Sequence, residues 1–572
     1  MPHVDPANSP YEKQPCRRAY VLLGIILLLA LGVRFWHLDR QGLFFYDEAW
    51  YRLTAQTYVE FPQWLSLVFQ HHVNPQAAFN QVYAWGFFPD ISYKPPYIVL
   101  LMLSDCLFGM TNPASGGYLS ALLGTLIVGF VFFITRQLTG CSKAGLLCAL
   151  LASVSGMEVY YSRITLPHQF AAFMLTGLCW LYLLRLQRRN MSLLQHFLLG
   201  FLTMSILNAH DMMLPIVVLL AAFEMGVLVW HAYWRFPDWR KTICYFAGLA
   251  IPAVFWETVT DILRKLFHRT LHNAYVTPYY HELAGHIGSK TGKKLARAAV
   301  DYGYYFHALA TIEGRLFLLM LGVGMAGLLY LFLKKRASAL FFFGFLSLAC
   351  LGMITVFPNK VLRLMAPFMP LFIVITACGF YALSLWFEKW LRSPRILAAL
   401  VGVLFLFTLF PMANFSLGLI QRTSGYAAVA DSLRSRLQPG ESLGTPYMLP
   451  VYTFYLQRKI YIVRTPEDFK LPDPNQRIAY VVFDDVDRKQ LCHIKGIACQ
   501  SKKSAASDLE TTLAPYQVQR FQNPYLAHLP FVMEHYYSFA MAQWLTQNAN
   551  QVALDQIRLD AIPAGFPAKA PW

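Results

Sequence analysis

Charge is scarce in this sequence. Asp, Glu, Lys and Arg make up 14% of its 572 residues, against about 25% in ordinary soluble domains, so an ordinary soluble enzyme is excluded. No G-x-x-x-x-G-K-[ST] phosphate loop and no Rossmann glycine fingerprint occurs, which argues against a nucleotide-driven pump or a cytoplasmic nucleotide-sugar enzyme. No repeat of fixed period is present, and no low-complexity linker beyond the Pro/Ala-rich last residues. The zinc-protease reading of "HELAGH" fails too. His281 and His286 are five residues apart, about 140° around a helix, where the metalloprotease motif needs four.

Apolar residues take the place of charge, at 56%. Long runs lie near 20–33, 115–135, 144–157, 166–184, 193–207, 213–230, 243–256, 316–333, 339–357, 364–386 and 395–413, eleven candidate spans. With their flanks, several suffice to cross about 30 Å of hydrocarbon at about 1.5 Å per residue. No A-x-A-like cleavage site follows the first run, which reads as a retained span. The net charge of +17 does not form one stripe for nucleic acid. Its clusters "KQPCRR", "TRQLTGCSK", "LRLQRRN", "WRFPDWRK", "LKKR" and "EKWLRSPR" fall at alternate loops, which the positive-inside rule puts in the cytoplasm. Loops 39–113, 158–168, 208–212, 257–314 and 358–363 then lie outside, with everything after 414. The short apolar segment 95–110 carries Asp105 and would invert that pattern as a full span. It is expected to lie in or partly enter the outer leaflet.

After about 414 the long runs stop. Strand-like "KIYIVR" and "RIAYVVF" alternate with helix-like "GYAAVADSLRSRL" and a long candidate helix at 536–560. The organisation expected is a membrane part, 1–413, followed by a soluble extracytoplasmic α/β domain, 414–572. Seven of the ten cysteines sit in or beside spans, where a thiol serves as a small apolar group. Cys492 and Cys499 would be exported to an oxidising compartment, where a short-loop disulfide is plausible chemistry.

Chemistry-bearing residues collect in the outer loops. Asp47 and Glu48 follow the first span among Phe44, Phe45, Tyr46, Trp50 and Tyr51. A partly desolvated carboxylate there suits a general base on a hydroxyl, and equally a first-turn acid that favours a helix dipole. Lys94 precedes Pro95 and Pro96, which stiffen the chain and hold its ammonium for a phosphate or as a snorkelling anchor. Arg163 and His168 flank Pro167, a natural helix start. His210 with Asp211, and Lys360 with Arg363, occupy two further corners. Singly, each reads as an interfacial anchor as readily as a site. Their shared sidedness is the stronger signal. In loop 257–314, Lys290, Lys293, Lys294 and Arg297 suit either a headgroup-facing helix or a lipid-phosphate contact.

"YDEAWY", "YKPPY", "YSRITLP" and "NKVLRLMAPFMP", in that order, resemble the motifs of GT-C fold glycosyltransferases that use polyprenyl-phosphate sugars. Protein O-mannosyltransferases and the aminoarabinose transferases of lipid A are the most similar branches, over about residues 18–390. The resemblance implies a multispanning helical protein that moves a sugar, with inversion, from a polyprenyl phosphate to a lipid, protein or glycan acceptor on the outer face. It implies Asp47 as the acceptor-activating base and Glu48 as its neighbour in acceptor or metal binding. Lys94 and Arg363 are implied as donor-phosphate contacts, with Arg163 in support. The family commonly has an acid where His168 stands, and the aminoarabinose branch a glutamate where Tyr93 stands. Both departures weaken a divalent-metal site and assignment to either branch. An O-antigen ligase or polymerase is a rival, although a YDE and KPP pairing is not expected there. A secondary transporter would place charges at the midplane instead of loop ends. Membrane lipids are the expected surroundings and a bacterial inner membrane the expected location.

Overall fold

The computed structural model describes residues 17–83, 94–187, 191–234, 239–270, 301–335, 338–357, 360–388, 393–446, 448–471, 476–483, 512–523 and 556–562, with isolated positions between them. Tyr93, His286, Lys290, Lys293, Lys294, Arg297, Cys492 and Cys499 lie outside the described residues.

Each of the eleven apolar runs falls mainly on one helix, except that 144–157 is broken between two helices at Ser155. In chain order the first helices are α1 Arg17–Phe35, α2 Leu38–Gln41, α3 Tyr46–Val59, α4 Phe61–Phe69, α5 Pro75–Val82, α6 Pro95–Phe108, α7 Ser115–Thr139 and α8 Ser142–Val154. They continue with α9 Gly156–Tyr161, α10 Pro167–Gln187, α11 Leu193–Ala209, α12 Leu214–Trp234 and α13 Trp239–Thr270. Helices Tyr304–Ile312, Arg315–Lys335, Ser338–Val356, Met369–Glu388 and Pro394–Ile420 complete the bundle. Among the described residues eight helices are long and apolar enough to cross a membrane, while α8 and α11 are shorter. Two expected boundaries move. The outer loop beginning at 257 is helical up to Thr270, because α13 continues past the apolar run. The last membrane helix continues past 413 to Ile420 through Pro411.

Local chemistry sets the helix starts. Pro95 and Pro96 occupy the first turn of α6, and Pro167 opens α10, positions where a missing N–H costs nothing. Helix α6 has 14 residues, about 21 Å of rise, short of a full crossing. It packs on α3 and α7. Helices α11 and α13 meet through glycines: a Cβ on Gly200 would collide with the Tyr245 carbonyl, and one on Gly248 with that of Phe197. Small residues are how helices approach where lipid removes the hydrophobic drive.

Among the described residues the C-terminal part builds a five-stranded sheet of order β2-β1-β3-β5-β4, from β1 Glu441–Thr445, β2 Tyr461–Ile462, β3 Arg477–Phe483, β4 Gln517–Gln522 and β5 Gln556–Ala561. Strands β1, β2 and β3 run parallel, while β5 is antiparallel to β3 and β4. Helix Leu449–Leu456 makes the crossover from β1 to β2 that parallel strands require. The end of the helix expected at 536–560 is strand instead, since "QIRLDA" pairs with both neighbours. The sheet is packed onto the bundle. Leu443, Val482, Ile557 and Leu559 belong to the same apolar core as the membrane helices, and helix Leu449–Leu456 rests on α3.

Candidate active site

Helix α3 follows α1 and the short α2, and its first turn separates two adjacent acids. Glu48 turns inward and is 1% exposed. Its Oε1 accepts from the Phe44 and Phe45 amides at 2.8 and 3.0 Å, and its Oε2 from the Thr165 amide at 2.7 Å. The carboxylate therefore caps its own helix and ties it to the corner before α10. Burial pushes it up to about 7 against the pull of those three amides. Asp47 turns outward. Its Oδ2 lies 2.6 Å from Arg363 Nη1, with side-chain exposures of 42% and 31%.

Arg363 sits in a short 3₁₀ turn, Leu362–Leu364, leading into helix Met369–Glu388. Lys94 is buried, and its Nζ donates to the Tyr51 hydroxyl at 2.9 Å. Its φ of 63° is left-handed, a conformation costing about 1–2 kcal/mol outside glycine, in a residue that Pro95 already bars from the right-handed helical region. His168, in the first turn of α10, places Nε2 at 3.1 Å from His210 Nε2. His210 Nδ1 lies 3.0 Å from Asp211 Oδ1. Arg363, Lys94, His210 and Asp211 all act electrostatically on His168. Six expected residues thus converge: Asp47, Lys94, His168, His210, Asp211 and Arg363.

Arg163 and Lys360 are not with them. Arg163 Nη1 donates to the carbonyls of Arg34 and Trp36 at 2.9 and 2.8 Å, and its Nε to Gln41 Oε1 at 3.0 Å. It staples the end of α1 to the corner preceding α10. Lys360 Nζ donates to the carbonyls of Ile354 and Thr355 at 2.9 and 2.5 Å. It closes the C-terminus of helix Ser338–Val356, where a cation complements the dipole. Burial pulls its ammonium down to about 8. Both oxygens of Glu48, expected beside Asp47 in acceptor or metal binding, are held by backbone amides. Among the described residues no group of three or more His, Cys, Asp or Glu could hold a metal ion.

Other participants carried no motif. Tyr51 orients Lys94. Arg52 and Asp105 form an ion pair at 2.8 Å with no exposed side-chain surface. Arg52 also holds the Met110 and Asn112 carbonyls at 2.9 and 2.8 Å, and Ser115 Oγ donates to Asp105 at 2.6 Å. Glu313 caps α9 through Ser155 Oγ and the Met157 amide, both at 2.8 Å. The Leu43 amide donates to the Tyr455 hydroxyl at 2.8 Å, which ties the segment before α3 to the α/β part. An acid at an unusual place inside an apolar run was the available signal for Asp105.

The fold is of the GT-C type, a helical bundle with membrane-length helices and a C-terminal α/β part. Two solved structures show the likeness. ArnT from Cupriavidus metallidurans bound to undecaprenyl phosphate superposes with a TM-score of 0.57 at 13% identity, covering 89% of this chain and 96% of that one. The Archaeoglobus fulgidus oligosaccharyltransferase AglB, in complex with an inhibitory peptide and a dolichol-phosphate, gives 0.53 at 14% identity, covering 82% and 69%. No family model and no curated protein matches the sequence.

Proposed function

We propose that the chain is an inverting membrane glycosyltransferase that moves a sugar from a polyprenyl phosphate to a hydroxyl-bearing acceptor. The observation carrying this reading is the half-open Asp47–Arg363 pair at 2.6 Å, set within a cluster of cations and histidines on a fold shared with a protein solved bound to undecaprenyl phosphate. A polyprenyl phosphate is already a good leaving group. The protein must orient the acceptor, take its proton and stabilise the charge that develops on phosphate.

Each task has a residue. The acceptor oxygen attacks the anomeric carbon opposite the phosphate, while its proton passes to Asp47. The bond from that carbon to the phosphate oxygen breaks, its electron pair leaving with the polyprenyl phosphate. Lys94 and Arg363 hold that phosphate. Glu48 and Arg163 fix the loop that carries Asp47, and Lys360 fixes the end of the neighbouring helix. No step is routed through a metal, since among the described residues no group around Asp47 forms a site for one.

The site and the α/β part belong on the extracytoplasmic face of a bacterial inner membrane, following the basic clusters at the opposite loops. A cysteine replacing the exposed Lys470 should then react with an impermeant thiol reagent in intact cells, and reaction only after lysis reverses the orientation. The reaction is tested by offering purified protein in lipid a panel of polyprenyl-phosphate sugars and weighing the released polyprenyl phosphate. Release that depends on Asp47 supports the reading; no release and no binding of any donor removes it.

A further inference from the structure

One buried atom at this cluster has nothing to bind. His168 is 4% exposed, and its Nδ1 meets no hydrogen-bond partner. A buried ring nitrogen is costly to leave unmet, so a ligand is the natural partner. Its hydrogen-bond chain fixes which kind. The Met212 amide donates to His210 Nδ1 at 3.2 Å. An amide N–H can only donate, so the His210 lone pair is at Nδ1 and its proton at Nε2. That proton points at His168 Nε2, 3.1 Å away, which must accept. The His168 proton is therefore on Nδ1.

The chain thus ends in a free N–H donor. Arg363 and Lys94 both raise the positive potential at this ring, and such a neighbourhood takes an anion. We propose that His168 Nδ1–H is a third donor to the phosphate of the lipid-linked substrate, with His210 the positioning residue that keeps the proton on that nitrogen. Asp211 Oδ1, 3.0 Å from His210 Nδ1, stands ready to hold His210 should that ring take up a proton. This deepens the donor site proposed above and rests on it. It gives the histidine at the place of the family's acid a role an acid cannot fill, since an ionised carboxylate would repel the phosphate.

The test uses the full chain in lipid nanodiscs, with undecaprenyl phosphate and undecaprenol as probes. His168→Leu should bind undecaprenyl phosphate about tenfold more weakly or worse, as expected for losing a hydrogen bond to a charged group. His168→Asn keeps an N–H and should recover most of that loss, while undecaprenol binds all variants alike. With ¹⁵N-labelled histidine, wild-type His168 should carry its proton on Nδ1 and shift downfield with undecaprenyl phosphate only. In His210→Phe that tautomer should become mixed. Wild-type affinity in His168→Leu overturns this inference alone. Failure of the wild type to bind undecaprenyl phosphate overturns it together with the functional reading. Should His168→Leu fail to fold, a wild-type proton found on Nε2 overturns it instead.

Discussion

Asp47 and Arg363, 316 residues apart in sequence, meet at 2.6 Å in an ion pair still open to solvent. The guanidinium thus occupies one of the two carboxylate oxygens that Asp47, as the proposed base, could offer to a proton. A half-exposed pair is worth only about 0–1 kcal/mol, so an arriving phosphate can draw Arg363 away and release the carboxylate. Donor before acceptor is the order this implies. Asp47→Asn should lower turnover by about 10²-fold or more, the usual contribution of a positioned base, while donor affinity holds or rises. Measured release of polyprenyl phosphate at the wild-type rate would remove Asp47 from the base role.

Arg363 and Lys94 separate by a different measurement. Both are assigned to the donor phosphate, and each hydrogen bond to a charged group is worth about 1.5–3 kcal/mol. Lys94→Ala and Arg363→Ala should each weaken undecaprenyl phosphate binding about tenfold or more. Arg163→Ala and Lys360→Ala should instead lower the melting temperature, with donor affinity in the surviving folded protein little changed. Equal effects on affinity from all four would return them to one undifferentiated cationic surface.

These four cations look alike in the sequence. Each stands in a loop beside an apolar run, and sidedness placed them all on one face. What separates them is reach. Arg163 finds the carbonyls at the end of α1, and Lys360 those at the end of its preceding helix, whereas Lys94 is held off its own helix by the left-handed φ before Pro95. The long helices were legible because extended apolar runs favour them, and Pro167 marked a helix start directly. Strand β5 was not, because the apolar spacing in "QVALDQIRLD" fits a helical period as well as an alternating one. Only its pairing with β3 and β4 decides.

Glu48 gives the fold a pH dependence of known sign. Burial raises its carboxyl from 4.5 in the unfolded chain to about 7, so the folded state binds more protons between those values. Stability then falls as pH rises through that window, by up to about 1.4 kcal/mol per unit, and levels off above it. Glu48→Gln should flatten this part of the melting-temperature profile while lowering the whole curve, since its amide N–H₂ cannot accept from all three backbone donors. An identical slope from pH 4.5 to 7 in both proteins assigns the titration elsewhere.

Arg52 and Asp105 test what holds the first loop in place. The pair is fully buried, and Arg52 reaches the Met110 and Asn112 carbonyls from the same guanidinium, so it fastens the turn after α6 onto the helix that carries Asp47. Removing one member leaves the other charged and unpaired, at a cost of about 3–5 kcal/mol. Asp105→Leu should therefore be poorly folded. Arg52→Leu loses two carbonyl contacts besides and should be no better. The double replacement Arg52→Leu, Asp105→Leu removes both charges and should recover part of the stability, though not the turn's position. It should melt above either single variant and still turn over more slowly than wild type, because Asp47 no longer starts from a fixed helix. A double variant less stable than both singles would mean that the carbonyl contacts dominate, and the ion pair would lose its place as the reason for burying two charges there.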